Sequence, residues 1–291
     1  MHLVSFVHDD AARIGALRER DGRQTVVDLN RAEPRLPSDM LDFLATGAEA
    51  LALAERALSV ASPELAFDRS AVTLKAPIPR PGKIICIGLN YRDHAEESNA
   101  AVPEYPTVFA KYASCVIGPG ESIVIPRVTS QVDYEGELAV VIGRRARDVS
   151  EETALSYVAG YAPFNDVSAR DYQMRTSRWT IGKTFDTFGP IGPALVTADE
   201  IADPHNLDIR VTIGGETLQS SNTRHLIFTI PQLIAYLSAV MTLEPGDVIA
   251  TGTPAGVGAA RKPQRWLQPG EVVRVEIKGL GALENPVVSS V

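Results

Sequence analysis

The sequence predicts a mixed, β-rich α+β fold: a sandwich or roll of strands behind a small N-terminal α/β module. Three observations predict it. Beyond residue 82 short apolar runs recur throughout while only two helices stand out. Pro119-Gly120-Glu121, Pro245-Gly246-Asp247 and Pro269-Gly270-Glu271 each precede such a run, as turns entering strands do. The regular βαβα alternation of a doubly wound sheet is missing.

Taken in order, segments 2–8, 13–18 and 24–29 have strand character, with Arg20-Asp21-Gly22 as a hairpin turn between the last two. Residues 38–60 are rich in Ala and Leu and read as helix, interrupted at Gly47. Ala76 to Gly82 carries three prolines in seven residues and reads as an extended linker. It divides the chain into a module over 1–75 and a larger domain over 76–291. Strands are expected near 83–88, 107–110, 122–125, 137–142, 192–196, 208–213, 248–251, 271–277 and 282–288. Ser150 to Val158 opens on acidic residues and stops before Gly160, as a helix does. Residues 230–241 place Ile230, Leu233, Ile234, Leu237, Val240 and Met241 on one stripe, with Pro231 in the first turn.

The chain has 291 residues, 45% of them hydrophobic and 22% charged, enough for a large core. Its formal charge is −8 and its pI is about 5.2, a poor match to nucleic acid or an anionic membrane. The N-terminus shows no signal-peptide pattern, and no apolar run approaches the ~20 residues that span a bilayer. Cys86 lies in Ile84-Ile85-Cys86-Ile87 and reads as a buried small hydrophobe. A cytoplasmic location is the expectation.

Three carboxylates carry the functional reading. Leu138 to Ile142 reads as a strand buried on both faces, with Glu135 and Glu137 at its entrance. Residues i and i+2 of a strand share a face, about 6.5 Å apart. Gly136 between them leaves the other face open to close backbone approach. Asp133 shares the glutamate face and is a competing ligand. Spacing alone also fits a solvated polar strand end. Asp166 ends the apolar stretch Tyr157 to Phe164, where a sheet presents a ligand at its mouth. Three carboxylates without a His or Cys cluster suit a hard cation, Mg²⁺ or Mn²⁺, and disfavour zinc.

Further segments supply partners for chemistry. In Gly88-Leu-Asn-Tyr-Arg-Asp-His94-Ala-Glu-Glu97, Asn90 can cap a short helix with Asp93 three residues on. His94 and Glu97 then share a helix face, and a carboxylate on one imidazole nitrogen makes the ring a better base. An exposed helix with an incidental ion pair is the plainer alternative. Lys183 sits among aromatic and glycine residues, which suits a lysine pointing into a cleft to meet an anion. A snorkelling lysine with its head in water fits too. Thr251-Gly-Thr253-Pro-Ala-Gly-Val-Gly lacks the ending of a P-loop; its N–H groups and hydroxyls can bind a carboxylate, or it is an ordinary tight loop.

In order and wording these segments resemble the fumarylacetoacetate hydrolase family, from about Gly82 to Pro286. The resemblance rests on Gly-Leu-Asn-Tyr-Arg-Asp-His-Ala-Glu-Glu, Asp-Tyr-Glu-Gly-Glu-Leu-Ala, Asn-Asp-Val-Ser-Ala-Arg-Asp, Gly-Lys-Thr-Phe-Asp-Thr-Phe-Gly-Pro and Thr-Gly-Thr-Pro-Ala-Gly-Val-Gly. It implies a β-sandwich roll, a homodimer and one Mg²⁺ or Mn²⁺ per subunit held by Glu135, Glu137 and Asp166. It further implies that His94 and Glu97 activate water and that Lys183 supports an anionic intermediate. Arg170, Gln173 and Thr253 would contact a small carboxylate substrate. The short N-terminal module is similar to that of bacterial relatives acting on acylpyruvates and 2,4-diketo sugar acids. Segments 175–178 and 259–268 carry no family-wide wording.

The expected activity is therefore hydrolysis of a carbon–carbon bond in a 1,3-diketo acid. The alternatives on the same metal site are decarboxylation of oxaloacetate and isomerisation of a hydroxymuconate. A non-catalytic dicarboxylate-binding protein is the remote one. Segment 98–106, with Pro103 and Pro106, is a candidate lid beside His94 and Glu97.

Overall fold

A computed structural model describes residues 1–20, 22–97 and 99–290. Asp21 of the expected hairpin turn and Ser98 of the candidate lid lie outside the described residues. The chain begins with strands β1 (His2–His8), β2 (Ala11–Arg20) and β3 (Arg23–Asp28), and after three α-helices adds β4 (Ala66–Asp68) and β5 (Thr73–Lys75). Then come β6 (Ile84–Gly88), β7 (Thr107–Lys111), β8 (Val116–Ile117), β9 (Ile123–Ile125), β10 (Val132–Asp133), β11 (Gly136–Ile142) and β12 (Val158–Asn165). The rest is β13 (Ser168–Ala169), β14 (Gly189–Pro190), β15 (Leu195–Thr197), β16 (Asp208–Ile213), β17 (Glu216–Asn222), β18 (Val248–Ala250), β19 (Val272–Ile277) and β20 (Gly281–Ser289).

Two large sheets hold most of these strands, while β10 pairs with β13 and β8 with β14. The larger runs β4-β3-β2-β1-β15-β12-β11-β18-β6-β7, with β5 also paired to β1. Its N-terminal strands join the rest through β1 and β15, where Leu3 faces Leu195. The smaller runs β17-β16-β19-β20-β9. In β16 and β19 buried and less buried positions alternate, so one face is apolar and packed. Along β11 every residue is buried, which explains the unbroken apolar run Leu138 to Ile142 that follows Glu137. The sheets meet where Gly136 lies under Val211: a Cβ there would come within 2.4 Å of the valine Cγ2.

The helices follow local sequence. The expected helix over 38–60 is two, Met40–Thr46 and Ala48–Val60, broken at Gly47 with φ +68°. Asp39 caps the first, accepting from the N–H groups of Leu41 and Asp42. Ile230–Val240 opens on a capping box between Thr229 and Gln232 and buries Ile230, Leu233, Ile234 and Leu237. The turns before β9, β18 and β19 hold Gly120, Gly246 and Gly270 at φ +79°, +85° and +90°, a region open to glycine at little cost.

Two expectations need correction, and one strand was missed. The helix from Ser150 is short, Glu151–Ala154 followed by a 3₁₀ turn, because Val158 already begins β12 in the middle of the large sheet. The polar segment that forms β17 was not anticipated as a strand. Asn90 does not cap the helix Arg92–Glu97. Its buried side chain instead accepts from the Phe228 N–H at 2.7 Å and donates to the Thr251 carbonyl at 2.8 Å. Asn90 thus ties three loops together beneath that helix.

Candidate active site

Strand register builds the acidic cluster. β11 and β12 pair antiparallel with Gly136 opposite Asn165 and Glu137 opposite Phe164. Glu135 just precedes β11 and Asp166 just follows β12, so both arrive at the same end of the sheet. The Asp166 N–H donates to the Glu135 carbonyl at 2.9 Å, and the Glu135 N–H donates to Asn165 Oδ1 at 3.0 Å. One oxygen from each of Glu135, Glu137 and Asp166 lies within 4.8 Å of the others, and all three residues are buried.

Positive charge is distributed unevenly over this cluster. Lys183 Nζ donates to Glu135 Oε2 at 2.7 Å and to Asp166 Oδ2 at 2.8 Å. Arg170 Nη2 lies 2.6 Å from Glu135 Oε1. Burial favours the neutral acid at Glu135, but Arg170 and Lys183 outweigh it and hold this carboxyl at about 2. Glu137 receives the Gly252 N–H at 2.8 Å, and no Lys or Arg among the described residues forms an ion pair with it. Burial, then the charges of Asp166 and Glu135, push Glu137 well above the usual carboxylate range. Converging oxygens with one carboxylate short of positive charge fit a hard divalent cation held by Glu135, Glu137 and Asp166.

Short helices bring in the other groups. Lys183 ends the helix Thr180–Lys183, which presses so close to Gln173 that a Cβ on Gly182 would meet the Gln173 N at 2.3 Å. Lys183 is buried rather than snorkelling. Burial alone would lower its pKa, yet Asp166 and Glu135 raise it. On the helix Arg92–Glu97, His94 Nδ1 lies 3.4 Å from Glu97 Oε2, a long contact, with side chains 15% and 25% exposed. Burial would raise the Glu97 carboxyl, but His94 and the Gly256 N–H more than offset it and hold it low. That arrangement leaves His94 Nε2 for the adjoining cavity. The cavity holds about 460 Å³ and is lined by His94, Glu97, Gln131, Arg170, Gln173 and Trp266 among others.

One loop serves both halves. Between Gly252 and Ala259 its N–H groups reach Glu137 from Gly252, Glu97 from Gly256, and Asp133 from Gly258 and Ala259. Gly252 and Gly256 sit at φ +105° and +103°, where a side chain would be strained. Gln219 of β17 anchors the loop: its Oε1 accepts from the Gly136 N–H, and its Nε2 donates to Thr253 Oγ1 and the Pro254 carbonyl.

The structure places the expected substrate contacts within the scaffold. Arg170 Nε donates to Asp133 Oδ2 at 2.8 Å and Nη1 to Gln173 Oε1 at 2.9 Å, so with Glu135 all three nitrogens have protein partners. The Thr253 hydroxyl donates to the Gly136 carbonyl at 2.9 Å. Asp133 is not a fourth member of the cluster, contrary to its placement on the glutamate face. It is committed to Arg170 and to the loop N–H groups. Sequence reasoning missed Lys111, whose Nζ donates to Asp166 Oδ1 at 2.6 Å, and Gln219. A lysine closing the apolar run Thr107-Val-Phe-Ala-Lys111 was the available signal for the first.

The chain is similar to known proteins over nearly its whole length. Residues 83–288 match the sequence profile of the fumarylacetoacetate (FAA) hydrolase C-terminal domain. The chain is 50% identical over 292 aligned residues to an oxaloacetate tautomerase, fahd2, mitochondrial, of Xenopus laevis, covering 99% of this chain and 90% of that one. The fold superposes on fumarylacetoacetate hydrolase from the psychrophile Exiguobacterium antarcticum with a TM-score of 0.86, 37% identity and full coverage of both chains. It also superposes on maleylpyruvate hydrolase from Sphingobium sp. SYK-6, solved with manganese(II) and pyruvate, with a TM-score of 0.82, 33% identity and full coverage of both.

Proposed function

The chain belongs to the fumarylacetoacetate hydrolase family, and we propose that it is a metal-dependent tautomerase of a small 2-oxo dicarboxylate, oxaloacetate. The observation that carries this reading is the 50% identity, over nearly the whole chain, to a protein named for that activity. It departs from the carbon–carbon hydrolysis expected from the sequence and sides with the enolate chemistry of the alternatives.

Tautomerisation moves one proton: the enol O–H at C2 gives up its hydrogen and C3 gains one, with no bond between carbons broken. A divalent cation, Mg²⁺ or Mn²⁺, held by Glu135, Glu137 and Asp166 supplies Lewis acidity toward the 2-oxo oxygen when bound. Lys183, locked between Glu135 and Asp166, keeps positive charge beside the oxygen on which enolate charge develops. Glu97 orients His94 through Nδ1 and keeps Nε2 free to take a proton on the cavity side and return it. Arg170 holds Glu135 and, with Gln173, forms one wall of the cavity.

Hydrolysis of an acylpyruvate is the second reading, favoured by the likeness to maleylpyruvate hydrolase and by a His–Glu pair suited to activating water. The discriminating experiment offers Mg²⁺- or Mn²⁺-loaded protein the enol form of oxaloacetate and a panel of acylpyruvates. Accelerated ketonisation without cleavage supports the tautomerase. Cleavage of an acylpyruvate with no effect on oxaloacetate overturns it. We also propose a homodimer with one ion per subunit; light scattering giving a single-chain mass would rule the dimer out.

A further inference from the structure

Lys111 is a buried basic group with no part in the proton transfer proposed for His94 or the charge stabilisation proposed for Lys183. Its side chain is fully buried, and a buried ammonium persists only where its charge is met. Nζ donates to Asp166 Oδ1 at 2.6 Å and to the Val167 carbonyl at 3.2 Å. Lys183 takes the other Asp166 oxygen at 2.8 Å, so this one carboxylate carries an ammonium on each oxygen. The two lysines are mounted differently. Lys183 sits on a four-residue helix and is shared with Glu135. Lys111 is set in β7 opposite Ile84 of β6, and the backbone pairing fixes where it emerges.

We propose that Lys111 is a positioning residue that acts through Asp166: it fixes Oδ1 and offsets that carboxylate's charge, which weakens the triad's hold on a divalent cation and leaves the metal-loaded site more positive toward an anionic substrate. The inference rests on the reading that Glu135, Glu137 and Asp166 hold such a cation. Two cations sharing one buried carboxylate repel each other, and the surrounding low dielectric leaves that repulsion poorly screened. The Lys111 charge also offsets part of the acids' negative charge, so with the cation bound more positive charge remains for the negative charge that develops on the substrate. A lysine that merely braced Asp166 would have the opposite effect on metal: its loss would loosen a ligand and weaken binding.

The sign of the change in metal affinity is therefore decisive. Lys111→Met and Lys111→Gln are compared with wild type by Mn²⁺ titration, read by electron paramagnetic resonance of free Mn²⁺ and by calorimetry. The Gln variant keeps a polar donor without the charge and gives the measurement if the Met variant does not fold. Both neutral variants are expected to bind Mn²⁺ about tenfold tighter or more. With oxaloacetate, kcat is expected to fall about tenfold or more while KM changes little. Mn²⁺ binding that is unchanged or weaker in a folded neutral variant overturns the proposal. A wild-type chain that binds no Mn²⁺ overturns the metal reading and this proposal together, so the two failures are told apart.

Discussion

Glu97 is the carboxylate whose environment bears most directly on proton transfer. His94 and the Gly256 N–H hold it below its ordinary value against the opposing effect of burial. Its contribution to stability is therefore present above the ordinary carboxylate range and is lost as pH falls through the lowered folded value. Wild type should be more stable than Glu97→Gln at neutral pH, and thermal unfolding should show the gap closing in acid. The same variant should lose about 100-fold or more in turnover while still binding metal. Turnover that survives the change would remove the dyad from the account. Lys183 and Asp166 were legible in the sequence because charged groups beside apolar or glycine-rich runs stand out. Lys111 was not, because a single lysine at a strand end looks like any solvated terminus until the fold buries it.

At the scale of elements, the site is an outcome of register. Leu138 to Ile142 of β11 was readable as an apolar run buried on both faces, and Gly136 as a point of close approach. What the sequence could not convey is that Val211 of the second sheet makes that approach. Nor could it show β17, whose Glu-Thr-Leu-Gln-Ser-Ser-Asn has too few apolar residues to reveal its alternation. Gln219 lies in that strand and brackets Gly136 and the loop after Thr251, so a polar stretch positions both halves of the site. Gly136→Ala would force a Cβ to within 2.4 Å of Val211 Cγ2. We expect a loss of about 1–3 kcal/mol in urea unfolding, typical of overpacking, together with weaker metal binding. An unchanged urea midpoint would show that the two sheets do not meet tightly there.

For the whole molecule, the long sheet carries the N-terminal strands at one end and the edge strand β7 at the other, with the acidic cluster at the ends of β11 and β12 in between. Among the described residues no helix is long and apolar enough to cross a membrane. The cluster joins β11, β12 and, through Lys183 and Lys111, the chain on either side of them, so a bound cation should tighten the fold as a unit. Mg²⁺ or Mn²⁺ at about 100 times its Kd should raise the unfolding free energy by about 2.7 kcal/mol, and a chelator should reverse the gain. Thermal unfolding indifferent to both additions would argue against a resident ion.

Proton transfer at C3 of oxaloacetate without carbon–carbon cleavage is read by magnetic resonance in heavy water. Metal-loaded wild type should speed deuterium incorporation at C3 above the metal-only blank, with no pyruvate accumulating beyond that blank, and Glu97→Gln should lose most of the effect. Exchange no faster than the blank, or pyruvate formed at the enzyme's expense instead, would contradict the account.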